Sequence, residues 1–259
     1  MTIGAVHIMR ASFFSTHHAS PGDVLADRER PFTAPAYSLL AGRARRFTSL
    51  VTQMHIEVCG ALQIDAADPP TAVFATCHGE IQTAEKLLAD FRDNAMVSSA
   101  RFALSVHNSP SGVYSVATGS TAPTTTVTGA NALAAGWLEA ALTALDTGVP
   151  VLLSIADEPV PEIFHGPTTQ VGVAAAFLLA PSPASGGRRV ELAITGSTDD
   201  AVDALRVLAR AAEAAQGSGR SGADAGARSI ELGLRPATVA LGHIRPGAGL
   251  ELRFAEARA

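Results

Sequence analysis

Cys77 and His78 are the residue pair with the clearest capacity for covalent chemistry. A cysteine thiolate attacks acyl thioesters, and a nearby histidine can serve as its base. Adjacent residues of a strand point to opposite faces, so a productive pair would need a turn at this place. We therefore favour a buried thiol at Cys77. An independent acyl hydrolase or transferase that uses Cys77, His78 or His107 stays open as an alternative.

The other histidines form no recognisable ligand pattern. His17 and His18, taken with His7 and His55, match no usual metal spacing, and no acidic or thiol partner is near them in sequence. We predict surface histidines, no metal and no cofactor. His243, in the stretch Leu-Gly-His-Ile, is predicted to be a loop histidine near the last strand.

Composition excludes several classes of protein. The 259 residues are 47% hydrophobic and 17% charged, which is enough to bury a large core and argues against overall disorder. A formal net charge of −5 offers no basic surface for nucleic acid. Cys59 and Cys77 form no metal-spaced set and suit a reducing cytoplasm. The chain contains no apolar run long enough to span a membrane, so we expect a cytoplasmic protein.

Short apolar runs alternate with helical periodicity along the chain. An almost unbroken apolar run over residues 149–156 is typical of a strand covered on both faces, which predicts a parallel or mixed sheet between helices. The composition of residues 11–35 predicts a long loop, and that of residues 216–226 predicts a flexible loop. We expect both to belong to one domain that spans residues 1–259. Further strands are predicted near residues 3–9, 72–75, 125–130, 171–180, 190–195, 229–234 and 250–254.

The predicted helices would position the candidate residues. One begins near Leu50, a second begins at Ile81, and an irregular helix or helix pair occupies residues 102–117. Ser197 and Asp200 form a capping box before a later helix. The second helix is expected to pack inward through Ala84, Leu87, Leu88 and Phe91.

A β-prone segment at residues 125–130 leads into a helical pattern over 131–145, and Gly148 is placed to end that helix. This strand-turn-helix arrangement is one on which a nucleophile is normally presented, but the residue at the turn is Asn131. A carboxamide cannot form the thiolate that covalent acyl transfer requires. Asn131 is also a residue that helix capping selects, and we expect its side chain to cap the helix.

Three segments carry a family resemblance. They read Val-Phe-Ala-Thr-Cys-His-Gly-Glu, Phe-Ala-Leu-Ser-Val-His-Asn-Ser-Pro-Ser-Gly and Leu-Leu-Ser-Ile-Ala-Asp-Glu-Pro, at residues 73–80, 102–112 and 152–159. The chain thereby resembles the stand-alone β-ketoacyl-synthase N-terminal-like proteins, the chain-length-factor subunits of aryl polyene and related pathways. The resemblance implies a thiolase-like layered α/β fold with one complete half and a truncated or eroded second half. It places Asn131 where true ketosynthases carry their cysteine.

The resemblance also implies a function. A chain length factor is not catalytic by itself: it pairs with a β-ketoacyl-ACP synthase that condenses carrier-bound acyl chains, and it limits product length in aryl polyene, polyketide or fatty-acid-like biosynthesis. The ketosynthase histidine motifs His-Gly-Thr and Lys-x-x-x-Gly-His are not intact here. A homodimeric acyl-binding scaffold is a third possibility.

Site residues follow from the same resemblance. The turn at Cys77 and the helix after it occupy the place where chain length factors block the acyl tunnel, although Leu88 is equally consistent with ordinary core. The implied pocket residues are Cys77, His78, Ile81, Ala84 and Leu88. A second segment is implied to lie at the subunit contact, through Ser105, Val106, His107, Asn108 and Gly112.

Overall fold

An eight-stranded mixed sheet with helices on both faces organises the chain in a computed structural model. The structure describes residues 2–36, 39–40, 48–164, 171–182, 187–196, 204–216, 237–245 and 248–254. The described strands are β1 (Thr2–Ser15), β2 (Thr71–Thr76), β3 (Thr124–Thr128), β4 (Val151–Asp157), β5 (Val173–Ala180), β6 (Arg188–Gly196), β7 (Ala237–Arg245) and β8 (Ala248–Phe254). The described α-helices are α1 (Pro21–Leu25), α2 (Leu50–Ala61), α3 (Ile81–Asn94), α4 (Ser99–Ala103), α5 (Ser109–Thr118), α6 (Ala132–Thr147) and α7 (Ala204–Gln216).

The strand order is β3-β2-β4-β5-β1-β6-β8-β7. Strand β2 pairs in parallel with β3 and with β4, and the remaining pairings are antiparallel. The mixed α/β prediction is therefore confirmed. The parallel trio fixes where the site lies, because the carboxyl ends of parallel strands meet at one edge of a sheet.

Each face of the sheet carries its own apolar core. Val73 and Ala75 of β2 pack with α6 and α7 on one face, whereas Ala72 and Phe74 pack with α2 and α5 on the other. Alternate residues of a strand point to opposite faces, so a strand covered on both sides is apolar throughout. Helix α6 lies close to the sheet, and its Trp137 is fully buried.

Gly136 permits this close approach of helix to sheet. A Cβ placed on this residue would lie 2.6 Å from the Cβ of Ala75, closer than real contacts allow. The helix that begins after Asn131 is therefore held at a fixed distance from β2. Gly148 ends the same helix in the left-handed conformation with φ 73°, as its position in the sequence predicted.

The N-terminal region differs from expectation. Strand β1 continues to Ser15, so part of the predicted 11–35 loop belongs to the sheet. The four histidines predicted at the surface are also mostly interior: His7, His18 and His55 are buried and His17 is half-buried. Their neighbours explain this, since Ser15 bonds His18 and Ser154 bonds His55 through the ring Nδ1 atoms. Local polar partners make burial of a histidine possible.

Helix α3 is a second correction. Of its predicted inward residues, Leu87 is buried, but Leu88 and Phe91 are 55% and 62% exposed. The suggestion that Leu88 is ordinary core is therefore wrong for this chain. The apolar stripe exists as predicted, but at Leu88 and Phe91 it remains open to solvent.

The C-terminal part adds three strands and α7 to the same sheet, which agrees with a reduced second half. β5 and β6 do not pair with each other, because β1 lies between them. The predicted strand at 229–234, the cap at Ser197 and Asp200, and residues 217–226 of the predicted loop lie outside the described residues. No helix in the described part is long and apolar enough to cross a membrane.

Candidate functional site

Three chain segments converge at the carboxyl edge of the parallel strands. Strand β2 runs into the turn of residues 77–80, β3 runs into residues 129–131, and β4 ends at Asp157 and Glu158. The candidate pocket turn, the position that the resemblance assigns to a ketosynthase nucleophile, and two acidic side chains thus share one edge of the sheet. Sequence analysis gave neither Asp157 nor Glu158 a functional role.

Asp157 shapes the turn that contains Cys77. Its Oδ1 accepts hydrogen bonds from the Thr76 hydroxyl at 2.9 Å and from the backbone N–H groups of Cys77 at 2.7 Å and His78 at 3.4 Å. The Thr76 hydroxyl in turn accepts from the N–H of Gly79 at 2.9 Å. Gly79 has φ 60°, in the left-handed region where a side chain is strained. One carboxylate therefore fixes the path from β2 into α3.

Glu158 joins the starts of two helices. Its Oε1 accepts from the N–H of Gln82 at 2.9 Å, in the first turn of α3, and its Oε2 from the N–H of Val51 at 3.2 Å, in the first turn of α2. These N–H groups have no partner within their own helices, so an acceptor here satisfies both helix ends. Burial raises the pKa of Glu158 to about 7, and the neighbouring Glu80 carboxyl acts in the same direction.

Glu80 is the second buried acid of this network. Its Oε1 accepts from the Thr52 hydroxyl at 2.6 Å and its Oε2 from the Thr83 hydroxyl at 3.1 Å. Burial raises the pKa of this carboxyl as well. Sequence analysis did not identify Glu80. An acidic residue between a strand and a helix start is an ordinary surface pattern, so it carried no signal of burial.

Cys77 and His78 do not form a catalytic pair. Cys77 is half-buried and His78 is exposed. Burial, aided by the nearby Asp157 carboxylate, raises the pKa of the Cys77 thiol to about 12. A thiol with such a pKa is almost wholly protonated near neutral pH and is a poor nucleophile.

Asn131 occupies the predicted place directly before α6, but it does not cap that helix with its side chain. The residue is exposed, and its backbone carbonyl accepts the N–H of Ala135 at 2.9 Å. The expected capping bond is therefore wrong. The local backbone explains it: with φ −101° and ψ 10°, Asn131 is outside the extended conformation that side-chain capping uses.

The implied subunit-contact residues all lie at or near the surface of this chain. Val106, His107, Asn108 and Gly112 are exposed, and Ser105 is half-buried. His107 is also adjacent to the pocket turn, since a Cβ placed on Gly79 would lie 3.4 Å from the Cβ of His107. The structure thus brings the two groups of predicted residues next to each other.

Two cavities lie beside this region. The larger, of about 720 Å³, is lined mainly by apolar side chains of residues 39–40 and 103–117, and the smaller, of about 350 Å³, mainly by polar ones. Val106, Asn108 and Gly112 line the larger cavity. The predicted pocket residues Cys77, His78, Ile81, Ala84 and Leu88 line neither of these two cavities.

Exposed apolar side chains are concentrated in one stretch of the chain, and two of them, Val106 and Val116, line the larger cavity. Sequence analysis did not foresee this concentration. Of thirteen exposed large apolar residues in the described part of the chain, seven lie between residues 88 and 116. An apolar surface of this kind on a folded chain is typical of a contact with another molecule. We call the seven the α3–α5 apolar face; they are Leu88, Phe91, Met96, Val97, Phe102, Val106 and Val116.

The thiols provide a direct check on the lack of a nucleophile. We expect Cys59 and Cys77 to resist iodoacetamide in the folded protein at pH 7.5, because burial raises the pKa of both thiols to about 12. The variant Asn131→Cys should be alkylated at the new, exposed thiol but gain no acyl group from an acyl-carrier thioester. Intact-protein mass spectrometry measures both adducts, with the denatured protein as the positive control. An acyl adduct on Cys77 of the wild-type chain would contradict this prediction.

In the described part of the chain, no three His, Cys, Asp or Glu side chains lie close enough together to hold a metal ion. The buried Nε2 atom of His55 has no hydrogen-bond partner. His55 and Cys59 both lie near Ser154 in the interior and are not accessible to a substrate.

Comparison with solved structures identifies the fold. The chain is similar to a chain of the ketosynthase (ApeO) in complex with its chain length factor (ApeC) from Xenorhabdus doucetiae, with a TM-score of 0.70 and 17% identity over 97% of this chain and 99% of that one. It is also similar to the ishigamide ketosynthase/chain length factor, with a TM-score of 0.59 and 14% identity over 76% of this chain and 68% of the other. The thiolase-like fold predicted from the sequence is confirmed.

Sequence comparison identifies the family. No curated protein matches the chain. The family model of the beta-ketoacyl synthase N-terminal domain matches residues 20–230, which is most of the chain. The protein therefore belongs to the beta-ketoacyl synthase N-terminal domain family.

Proposed function

We propose that this protein is a non-catalytic chain length factor, which pairs with a catalytic β-ketoacyl-ACP synthase and limits the acyl chain that the pair builds. The observation that carries the proposal is Asn131, an exposed carboxamide at the start of α6 in a family whose condensing members use a cysteine nucleophile. The chain has no thiolate to offer there. The condensation must then take place in another subunit.

The α3–α5 apolar face supports the pairing. Its seven side chains are 43% to 86% exposed. Apolar surface has a lower free energy when a partner subunit covers it than when it faces water. Segments 105–108 and 112, implied as the contact, lie within the same stretch of chain. Both similar structures include a ketosynthase and a chain length factor, and this likeness, at 17% and 14% identity, adds support from the fold alone.

In this proposal the chain acts sterically. The turn of residues 77–80 is fixed by Asp157, and the start of α3 is fixed by Glu158, so the side chains of Cys77, His78, Ile81, Ala84 and Leu88 would form a rigid wall for the partner's acyl tunnel. Forcing extra methylene groups into a packed site costs about 1–3 kcal/mol, so such a wall would stop the growing chain. The acyl carrier protein is proposed to deliver its substrate to the complex in the cytoplasm, and the product class is an aryl polyene or a related polyketide or fatty-acid-like chain.

Co-expression with a candidate ketosynthase from the same genome tests the pairing. Affinity purification of the ketosynthase followed by size-exclusion chromatography should yield both chains in one peak with equal amounts. A chain that elutes alone as a stable homodimer and never joins the ketosynthase would reject the proposal and favour a scaffold.

Ile81→Ala tests the steric role. Ile81 is half-buried at the first turn of α3, so shortening it should deepen the proposed tunnel and shift products toward longer chains in a reconstituted system. Chain lengths are measured by mass spectrometry of the carrier-bound products. Val149→Ala is the matched control, because Val149 is 48% exposed and lies outside this edge of the sheet. Unchanged product length with Ile81→Ala would contradict the assigned wall.

A further inference from the structure

The sulfur-containing side chains of this protein differ sharply in their access to solvent. Met96 is 73% exposed, whereas Met54 is fully buried and Met9 is half-buried. Of the two cysteines, Cys59 is buried and Cys77 is half-buried. Among the residues that the structure describes, Met96 is therefore the one exposed side chain that carries sulfur.

Protonation of the two thiols makes them weak competitors for an oxidant. Peroxides oxidise the thiolate form of cysteine, and burial raises the pKa of both the Cys59 and the Cys77 thiol to about 12. The thioether of methionine has no proton to lose, so its oxidation depends on access. Met96 is the sulfur that a peroxide in solution should oxidise first.

A short link between two helices presents Met96 at the surface. Helix α3 is capped by Ala95, whose φ is 53° and whose N–H donates to a carbonyl oxygen of the last helical turn at 2.8 Å. Helix α4 begins after Ser98, whose hydroxyl oxygen accepts from the N–H of Arg101 at 3.4 Å. An ion pair of 2.5 Å between Arg101 and Asp90 joins the two helices. The link that carries Met96 is thus held at both ends.

We propose that Met96 is a redox modification site, and that its conversion to methionine sulfoxide blocks pairing with the ketosynthase. The inference rests on the proposed function and adds a means of regulating it. The oxidant is a peroxide. With hydrogen peroxide, the sulfur attacks one oxygen, the sulfur–oxygen bond forms and the oxygen–oxygen bond breaks. The proton on the transferred oxygen passes to the other oxygen, which leaves as water, so sulfur is oxidised and the peroxide is reduced.

Oxidation changes the α3–α5 apolar face, to which Met96 belongs. The reaction turns a flexible apolar side chain into a polar one with a hydrogen-bond acceptor. Water satisfies this acceptor on the free chain, because the position is exposed, and the fold should not change. In the subunit contact the same oxygen would be buried without a donor, and we expect the affinity for the ketosynthase to fall about tenfold.

Limited oxidation of the isolated chain tests the site. The chain is treated with hydrogen peroxide, catalase removes the excess, and peptide mass spectrometry measures the oxygen gained at each methionine. Met96 should be oxidised well before Met54, whose sulfur packs against Gly172. Circular dichroism checks that the oxidised chain keeps its fold. Oxidation of Met54 as fast as Met96 would overturn the assigned site.

Binding to untreated ketosynthase tests the consequence. The chain is oxidised by itself, because a ketosynthase carries its own reactive cysteine. Its affinity should fall about tenfold, and methionine sulfoxide reductases that act on the two sulfoxide epimers should restore it. Met96→Leu is the matched control, since leucine keeps an apolar side chain of similar volume but has no thioether. This variant should pair as the wild type does, before and after peroxide.

The outcomes separate this inference from the proposed function. An untreated chain that never joins the ketosynthase rejects the proposed function, and the regulation of pairing with it. An untreated chain that pairs, and that pairs equally well once Met96 is oxidised, rejects the redox site and leaves the proposed function intact. An equal loss of affinity in peroxide-treated Met96→Leu would also overturn the role of Met96.

Discussion

Replacing Phe102 with glutamate should weaken the proposed complex between this chain and a ketosynthase. Phe102 is 62% exposed and belongs to the α3–α5 apolar face, so the change should leave the isolated chain folded. In a subunit contact, however, the new carboxylate would be buried without a partner. Such a charge costs about 2–5 kcal/mol of binding free energy, and we expect affinity to fall by roughly a hundredfold.

The matched control for this change is Phe32→Glu. Phe32 is 57% exposed, nearly as much as Phe102, but it packs edge-on against His17, with 5.9 Å between ring centroids, far along the chain from the apolar face. Both variants lose an aromatic ring and gain a carboxylate. Copurification with the tagged ketosynthase, read as the ratio of the two chains, should therefore fall for Phe102→Glu and hold for Phe32→Glu. Equal recovery of both variants would show that a partner does not cover residues 88–116.

The sheet and its edge could be predicted from sequence because local patterns determine them. An unbroken apolar run predicts a strand with two covered faces, and it occurs at β4, which is buried along its whole length except at Asp157. The β-prone segment before Asn131 likewise predicts the turn into α6. These features depend on neighbouring residues alone, whereas the assignment of Asn131 to a nucleophile position rests on the family resemblance.

Burial of polar groups could not be predicted in the same way. His55 is fully buried because Ser154, 99 residues away in sequence, meets its Nδ1 at 2.8 Å. The periodicity of α2 is apolar nearly all round and does not say which side faces the sheet. The end of β1 is similar: Arg10 interrupts its apolar pattern, yet its guanidinium reaches the carbonyl oxygens of Leu62 and Gln63 across the fold.

Helix α3 shows a different limit of prediction from sequence. Its sequence correctly predicts an apolar stripe that includes Leu87, Leu88 and Phe91. A stripe identifies the side that avoids water, but it does not say whether the cover comes from the same chain. Only the structure shows that Leu87 is covered by its own chain while Leu88 and Phe91 are not. This difference is the reason that the α3–α5 apolar face was missed.

The buried acids lead to the second large effect, a pH dependence of stability that belongs to Glu158. Burial raises the pKa of this carboxyl from 4.5 to about 7 in the folded chain. Between these two values the folded state holds a proton that the unfolded state has released. Stability therefore falls as pH rises through this window, by about 3 kcal/mol for a shift of this size.

Other groups titrate in the same range, so the effect must be measured as a difference. Glu80 and Asp157 act in the same direction as Glu158, because burial raises the pKa of each. His55 acts in the opposite direction, since burial lowers its pKa to about 3 and stability falls as pH drops below the ordinary histidine value. The contributions of Asp157 and His55 are common to the wild type and to a Glu158→Gln variant, and they cancel when the two are compared. Glu80 interacts with Glu158, so its response to the substitution is part of the measured difference.

Glu158→Gln should therefore flatten the pH profile relative to the wild type. The glutamine side chain has nearly the same shape and can still accept from one of the two N–H groups, of Val51 or Gln82, but it does not ionise. Urea unfolding at pH 4.5 and pH 8 gives the free energy of unfolding of both proteins. We expect the wild type to lose about 3 kcal/mol more than the variant between these two pH values. Gln82→Ala, which keeps the backbone donor and the ionisable acid, should retain the full wild-type slope. Parallel profiles for Glu158→Gln and the wild type would mean that Glu158 is ionised throughout and that its two helix N-termini stabilise the charged carboxylate more than burial opposes it.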